Sequence, residues 1–590
     1  MGRRWGRMAG MSKTGSGPRW LLAAAGAGTA AAVGAVLART RLGVADEWPV
    51  RYIRTNAVGV LIDPAVPALV LIGAAWVGLR HAGSAVRRRV ALAVMLGAGF
   101  LLTVYLGMAG PIGVGEPVFR TLFSSGIGSY VDEARHIGPF PPGEEPEGGV
   151  AAPGPVAYLA DFHRRVARHP LDTASFRVAV HPPGMTLLVY AVDRTWSASA
   201  ERRDRGARFF TSLGWRGAKD LLETGAPVTS GKLDGLVLPL IGAAAVMLSA
   251  LLIYVLTFEL GGHRATAVGA AALWLTVPSV ALHAPALDQI TPLLALLIAW
   301  CWVRACATRR VAWAVCAGLA AWLGLFFTLA MAVVFVALGL AMVLWRLSEK
   351  GVGPLFWKRT KCPTEALHGR MKREKRGPTP FLVAAAAFAA VSVVAWLVFG
   401  YNFVLVLYQC ARRNAEWNAG LGARSYGPWL AWNPVMFVLF FGAGATAVWV
   451  GGTVAALRRT PVRSPLPARE RDRVRVASSP DKRRTTPHPG PLPGGERGKT
   501  WIPTVAVLAT MAVLWLSGQN RGEVERLWSF LMALALVAGA VATAARRPLG
   551  AAEWAILLGL QIVLLFVLRY RVDVQNVLVN YAEHIEGLGG

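Results

Sequence analysis

GLVLPLIGAAAVMLSALLIYVLT, residues 235–257, runs for twenty-three residues without a charge. An α-helix rises about 1.5 Å per residue, so about 20 apolar residues cross the roughly 30 Å hydrocarbon core of a bilayer. This stretch is long enough to do so. Similar runs fall at 20–38, 60–79, 90–108, 266–283, 290–305, 312–327, 329–346, 380–399, 432–456, 502–517, 528–544 and 551–568. The 312–346 region is divided in two because 35 residues would make an unusually long single crossing. Of the 590 residues, 54% are hydrophobic and only 16% are charged, against about 25% charged in a soluble domain. Mean hydropathy is +0.45. The expected fold is an all-α integral membrane protein with about thirteen transmembrane helices and a large outward loop.

The net charge of +29 raises the question of nucleic acid, and its placement argues against it. Segment 347–379 carries nine Lys/Arg against three Glu, and segment 457–500 carries twelve against four acids. Both lie between apolar runs, where membrane insertion holds basic loops on the cytoplasmic side. No nucleic-acid recognition fold has room there, so no nucleic-acid partner is expected. Alternating the runs puts the basic N-terminus 1–19, "RHAGSAVRRR", 347–379, 457–500 and "RRPLG" inside. It puts 109–234, the turn "APALDQ", the region 401–431 and the tail 569–590 outside. The first run exceeds the 7–15 residues of a signal-peptide core, so it is read as an uncleaved helix.

The resulting order is transmembrane helices in 20–108, an extracytoplasmic loop at 109–234 and a transmembrane core at 235–346. After the basic loop 347–379 come helices in 380–456, the Pro/Gly/Arg-rich insertion 457–500, read as disordered, and the final helices in 501–568. The five cysteines form no Cys-x-x-Cys and no Cys/His cluster, and none lies in 109–234. That loop is therefore not stapled by disulfides.

The 109–234 loop holds fourteen basic and fourteen acidic residues. Loops of such length are usually functional or disordered. Ala157 to His169 reads as a helix ending at Pro170, and Pro182-Pro183 starts another, too short to span. That second helix is expected in the membrane interface, with Trp196 as an aromatic anchor. His181, just before it, would meet a phosphate at headgroup height or cap the helix start.

Asp132-Glu133, with His136 one turn on, is the best carboxylate candidate. The pair would act as general base toward a hydroxyl, or hold a divalent cation such as Mg or Mn through oxygen ligands, or be a solvated acidic pair. Asp161 is a weaker candidate on the next helix. Asp288 sits at the edge of an apolar run, where charge is costly. In "SGQNRGEVERLW" (517–528), Arg521, Glu523 and Arg526 lie between two runs. The two arginines would clamp a lipid phosphate or close a salt-bridged turn.

Taken in order, Tyr130-Val131-Asp132, "HPPGMTLL", "PALDQ", "VFGYNFVLVLYQC…RSYGPWLAWNP" and "SGQNRGEVERLW" resemble a polytopic bacterial branch of the GT-C glycosyltransferases. The likeness covers about 115–570 in patches. It implies an inverting transfer of a sugar from a polyprenyl-phosphate donor to an envelope glycan, lipid or protein acceptor, outside the bacterial plasma membrane. In the matching residues, Asp132 would activate the acceptor hydroxyl with Glu133 beside it. His181, Arg521 and Arg526 would meet the donor phosphate. This chain departs from many such enzymes in placing the acidic loop after the third helix instead of the first. Alternatives are a lipid-linked glycan flippase or polymerase and a secondary transporter, whose marks are repeats and helices broken near the midplane.

Overall fold

The computed structural model describes residues 19–39, 43–44, 48–49, 59–108, 128–138, 154–169, 176–212, 230–261, 263–283, 286–349, 380–420, 425–458, 501–518 and 524–572. Apart from turns, isolated bridge residues at Ile137 and Val572, and a two-residue antiparallel pairing of β1 (Gly43–Val44) with β2 (Trp48–Pro49), these are helical. The first three helices are α1 (Arg19–Leu37), α2 (Gly59–Arg80) and α3 (Ala85–Met108). Five follow in the long loop: α4 (Gly128–Arg135), α5 (Pro155–Arg168), α6 (Phe176–Val180), α7 (Gly184–Ser197) and α8 (Ala200–Ser212).

The core continues with α9 (Ser230–Gly261), α10 (Arg264–Trp274), α11 (Pro278–Leu282), a 3-10 turn at Leu287–Gln289, α12 (Ile290–Thr308), α13 (Val311–Phe327) and α14 (Met331–Glu349). Then come α15 (Pro380–Phe399), α16 (Phe403–Ala419), α17 (Tyr426–Phe441) and α18 (Ala443–Leu457). The chain closes with α19 (Trp501–Ser517), α20 (Val524–Leu527), α21 (Ser529–Arg546) and α22 (Ala551–Arg571).

Each of the thirteen apolar runs is helical. Among the described residues, eight helices are long and apolar enough to cross a membrane, and a ninth crossing follows if one bent pair counts as a span. This is a multi-pass membrane protein. α21 is buried along most of its length, whereas α15 leaves most of its apolar surface outward, as a lipid-facing helix does. α2, α13, α14 and α19 each contain a shorter apolar segment.

The run 432–456, read as one span, departs from that reading: α17 and α18 meet at 112°. Gly442 makes the corner at φ +86°, a left-handed conformation that a side chain disfavours. A Cβ there would also lie 2.7 Å from Gln561 Oε1. Gln561 is fully buried near the midpoint of α22. Its Oε1 accepts from Ala445 N at 2.8 Å, and its Nε2 donates to Leu273 O at 2.9 Å. One side chain thus meets an orphan donor at the start of α18 and a carbonyl at the end of α10. Apolar surroundings require such internal satisfaction wherever a helix breaks.

The loop helices form a layer over one end of the bundle. α4 packs on α7, α7 on the start of α9, and α16 on α5 and α6. Gly184, the glycine of HPPG, explains how α7 seats so closely. A Cβ there would come within 2.6 Å of Phe326 O, at the end of α13. Trp196 is no free-standing anchor: its ring packs over Gly206, where an added Cβ would lie 2.9 Å from it.

Candidate functional site

Asp288 and Arg526 come from separate ends of the chain and meet. Arg526 Nε lies 3.0 Å from Asp288 Oδ2, with both side chains nearly buried, at 11% and 15% exposure. Asp288 sits in the 3-10 turn that opens α12, and Arg526 in the short α20 that precedes α21. The costly charge at a span edge thus has its counter-charge.

Tyr130 stands beside this pair. Its hydroxyl is fully buried, and its pKa is pushed well above 10.0, by burial first and then by the Asp288 carboxylate, against the pull of Arg177 and Arg526. Its ring meets His181 edge-on at 6.3 Å between centroids. The N-cap position of α7 is Pro183, which offers no side-chain cap. The His181 imidazole, two residues before it, is half-buried against Tyr130. Three candidates read from the sequence, His181, Asp288 and Arg526, therefore gather around a tyrosine from the Tyr-x-Asp element. Arg177, buried at 6% exposure on α6, joins them and was missed. No sequence signal set it apart from the other basic residues of the 109–234 loop.

Asp132 and Glu133 diverge, as neighbours on a helix must. Glu133 turns inward and meets Arg165 at 3.3 Å, with both side chains close to buried. Arg165 also lies over the Tyr158 ring, 5.2 Å from its centroid. A carboxylate so engaged is poorly placed to serve as a base, and the two acids do not share a cation site. Asp132 is exposed, 3.9 Å from Arg135, while its carbonyl takes a hydrogen bond from His136 Nδ1 at 2.9 Å. Its carboxyl pKa is raised above 3.8 by desolvation, with Arg135 and then His136 opposing the rise.

Asp161 pairs with Arg164 at 3.5 Å on the surface of α5. Arg521 and Glu523 lie outside the described residues. Among the described residues no group of three or more His, Cys, Asp or Glu converges on a metal position. An open apolar groove of about 540 Å³ between Gly154–Ala160 and Val398–Gly400 is lined by none of the candidate residues. The layer is tied together beneath: Arg413, on α16, donates to the His169 carbonyl and meets Glu416 at 2.6 Å.

The arrangement offers a cation held at the end of the transmembrane helices, a tyrosine and imidazole beside it, and an exposed carboxylate on the same short helix as the tyrosine. Comparison with family models, with curated proteins and with solved structures finds no match to this chain.

Proposed function

We propose that the chain is a GT-C-like membrane glycosyltransferase. It would transfer a sugar from a polyprenyl-phosphate donor to an envelope glycan, lipid or protein on the extracytoplasmic side of the bacterial plasma membrane. The thirteen apolar runs would be arranged with the basic segments 347–379 and 457–500 inside, as the positive-inside tendency favours. The observation that carries the reading is the Asp288–Arg526 pair beside Tyr130. It sets a guanidinium at the end of the spans, the depth at which a lipid-borne phosphate is confined. In this reading Arg526, with His181, stabilises the charge that grows on the departing lipid phosphate. Asp132 takes the proton of the acceptor hydroxyl.

One observation favours a second reading, transport of a lipid-linked glycan. The breaks at Gly442 and after Trp274 lie beside the midpoint of α22, and broken helices near mid-depth are a transporter feature. Gln561 satisfies both broken ends, which suits a static fold better than a moving one. The test is mass spectrometry of envelope glycans from cells carrying wild type, Asp132→Asn or a deletion, with equal protein levels for the first two. A transferase loses one sugar increment from a defined product in both altered strains. Unchanged glycans in the deletion strain would defeat the transferase reading.

A further inference from the structure

The first turn of α5 is apolar and faces outward, at Pro155, Val156 and Ala160. The open groove of about 540 Å³ runs between this turn and Val398, Phe399 and Gly400 at the end of α15. Gly400, at φ +65°, lets the two elements approach, since a Cβ there would lie 2.9 Å from Ala160 Cβ. What covers the groove follows from where it opens. α15 is long and apolar enough to cross a membrane, and its last turn leaves Trp396, Leu397 and Val398 more than half exposed. Val398 belongs both to this lipid-facing surface and to the groove wall. Lipid chains that cover the end of α15 therefore stand at the groove mouth.

The outer side of α5 changes from apolar to basic along its length. Val156, Ala160, Arg164 and Arg168 follow at four-residue steps, which sets them along one side of the helix, and all four are exposed. The two arginines lie about 6 and 12 Å beyond Ala160 along the axis. Arg164 meets Asp161 only in a solvent-exposed contact, a kind that contributes little. Arg168 has no ion pair among the described residues. An apolar trough that leads to two cations matches an amphiphile with an apolar chain and an anionic head.

We propose that this groove holds one acyl chain of an anionic phospholipid from the adjoining bilayer leaflet, whose phosphate lies against Arg164 and Arg168. Burial of the chain supplies most of the binding, and the arginines select for charge. α5 is thereby seated in the membrane interface by its apolar end and its basic side. The site does not depend on the transferase reading.

The test uses the full-length protein, one copy per nanodisc, in phosphatidylcholine. A small fraction of phosphatidylglycerol or phosphatidylcholine carries a photoreactive diazirine in its acyl chain, and crosslinked positions are mapped by peptide mass spectrometry. The anionic probe should label 154–160 and 398–400 about fivefold more than the zwitterionic one, the worth of one arginine near a membrane surface. Ala157→Trp, which fills the groove, should cut labelling of 154–160 several-fold and leave that of Val393 and Val394, exposed on α15, unchanged. Arg164→Gln with Arg168→Gln should keep the labelling and erase the preference. Thermal melting shows that each variant is folded. If Val393 and Val394 are labelled and 154–160 is not, or if Ala157→Trp changes nothing, no lipid chain occupies the groove and the proposal fails. Equal labelling of wild type by both probes overturns the phosphate assignment. Displacement of the probe by a stoichiometric amount of unlabelled prenyl phosphate would assign the groove to a lipid-phosphate substrate and overturn the phospholipid assignment.

Discussion

Arg526 Nε lies 3.0 Å from Asp288 Oδ2, and this contact ties the turn before α12 to the turn before α21. The pair is nearly dry, so its two charges depend on each other. Removing one partner of such a pair typically costs about 3–5 kcal/mol, because the other charge stays buried alone. Asp288→Asn and Arg526→Gln should each lower the melting temperature in detergent sharply. The double replacement Asp288→Leu with Arg526→Leu should recover much of the stability and none of the transfer activity. If the double variant both folds and transfers sugar, Arg526 has no role at the phosphate.

The Glu133–Arg165 contact makes a different claim. Glu133 is engaged inward, so Glu133→Gln should destabilise α4 against α5 by about 3 kcal/mol, read by thermal melting. Variants kept folded by lower temperature should show the wild-type pH profile. A shift of the acidic limb in Glu133→Gln would make Glu133 the base and displace Asp132.

Asp132 gives the pH dependence. Its folded-state pKa is raised above the ordinary 3.8, by desolvation against Arg135 and His136. A base must be ionised, so transfer should fall as pH drops through that raised value. Arg135→Gln removes an opposing positive charge and should move the limb to still higher pH. Stability runs the opposite way with pH. The folded state binds this proton more tightly than the unfolded chain, so ionisation costs stability as pH rises past 3.8. Asp132→Asn should therefore melt no lower than wild type at neutral pH, which separates lost activity from lost fold.

Gly184 and Gln561 test the frame. Gly184→Ala forces a Cβ against the Phe326 carbonyl and should cost about 1–3 kcal/mol by overpacking. His181→Ala, at a half-buried position, should cost less. Gln561→Leu strands the Ala445 N–H and Leu273 carbonyl in an apolar interior, at about 1–3 kcal/mol for each group. Expression yield and melting temperature measure both.

The helices were legible because hydrophobic length is a local property, and runs such as 235–257 and 551–568 became α9 and α22. The corner at Gly442 was not. Hydropathy reports that a residue prefers lipid, not which way the chain is heading, and Gly442 sits inside an unbroken apolar run. Gln561 was hidden similarly, as a single amide whose partners lie 116 and 288 residues away. At the site, the cost of charge at a span edge pointed to Asp288, and the outward turn pointed to Arg526. That they face each other, and that Asp132 and Glu133 face apart, depends on packing between distant segments. Gly184 was visible in HPPG, while its reason, the approach of α7 to α13, was not.

The most direct measurement reconstitutes purified protein into liposomes with radiolabelled prenyl-phosphate sugars and solubilised envelope acceptor. Label in the acceptor and in the lipid of each leaflet is then followed. The account expects wild type to move label from the lipid to the acceptor, and Asp132→Asn to bind the donor without transferring it. Label that crosses from one leaflet to the other while never leaving its lipid would contradict the account and identify a transporter.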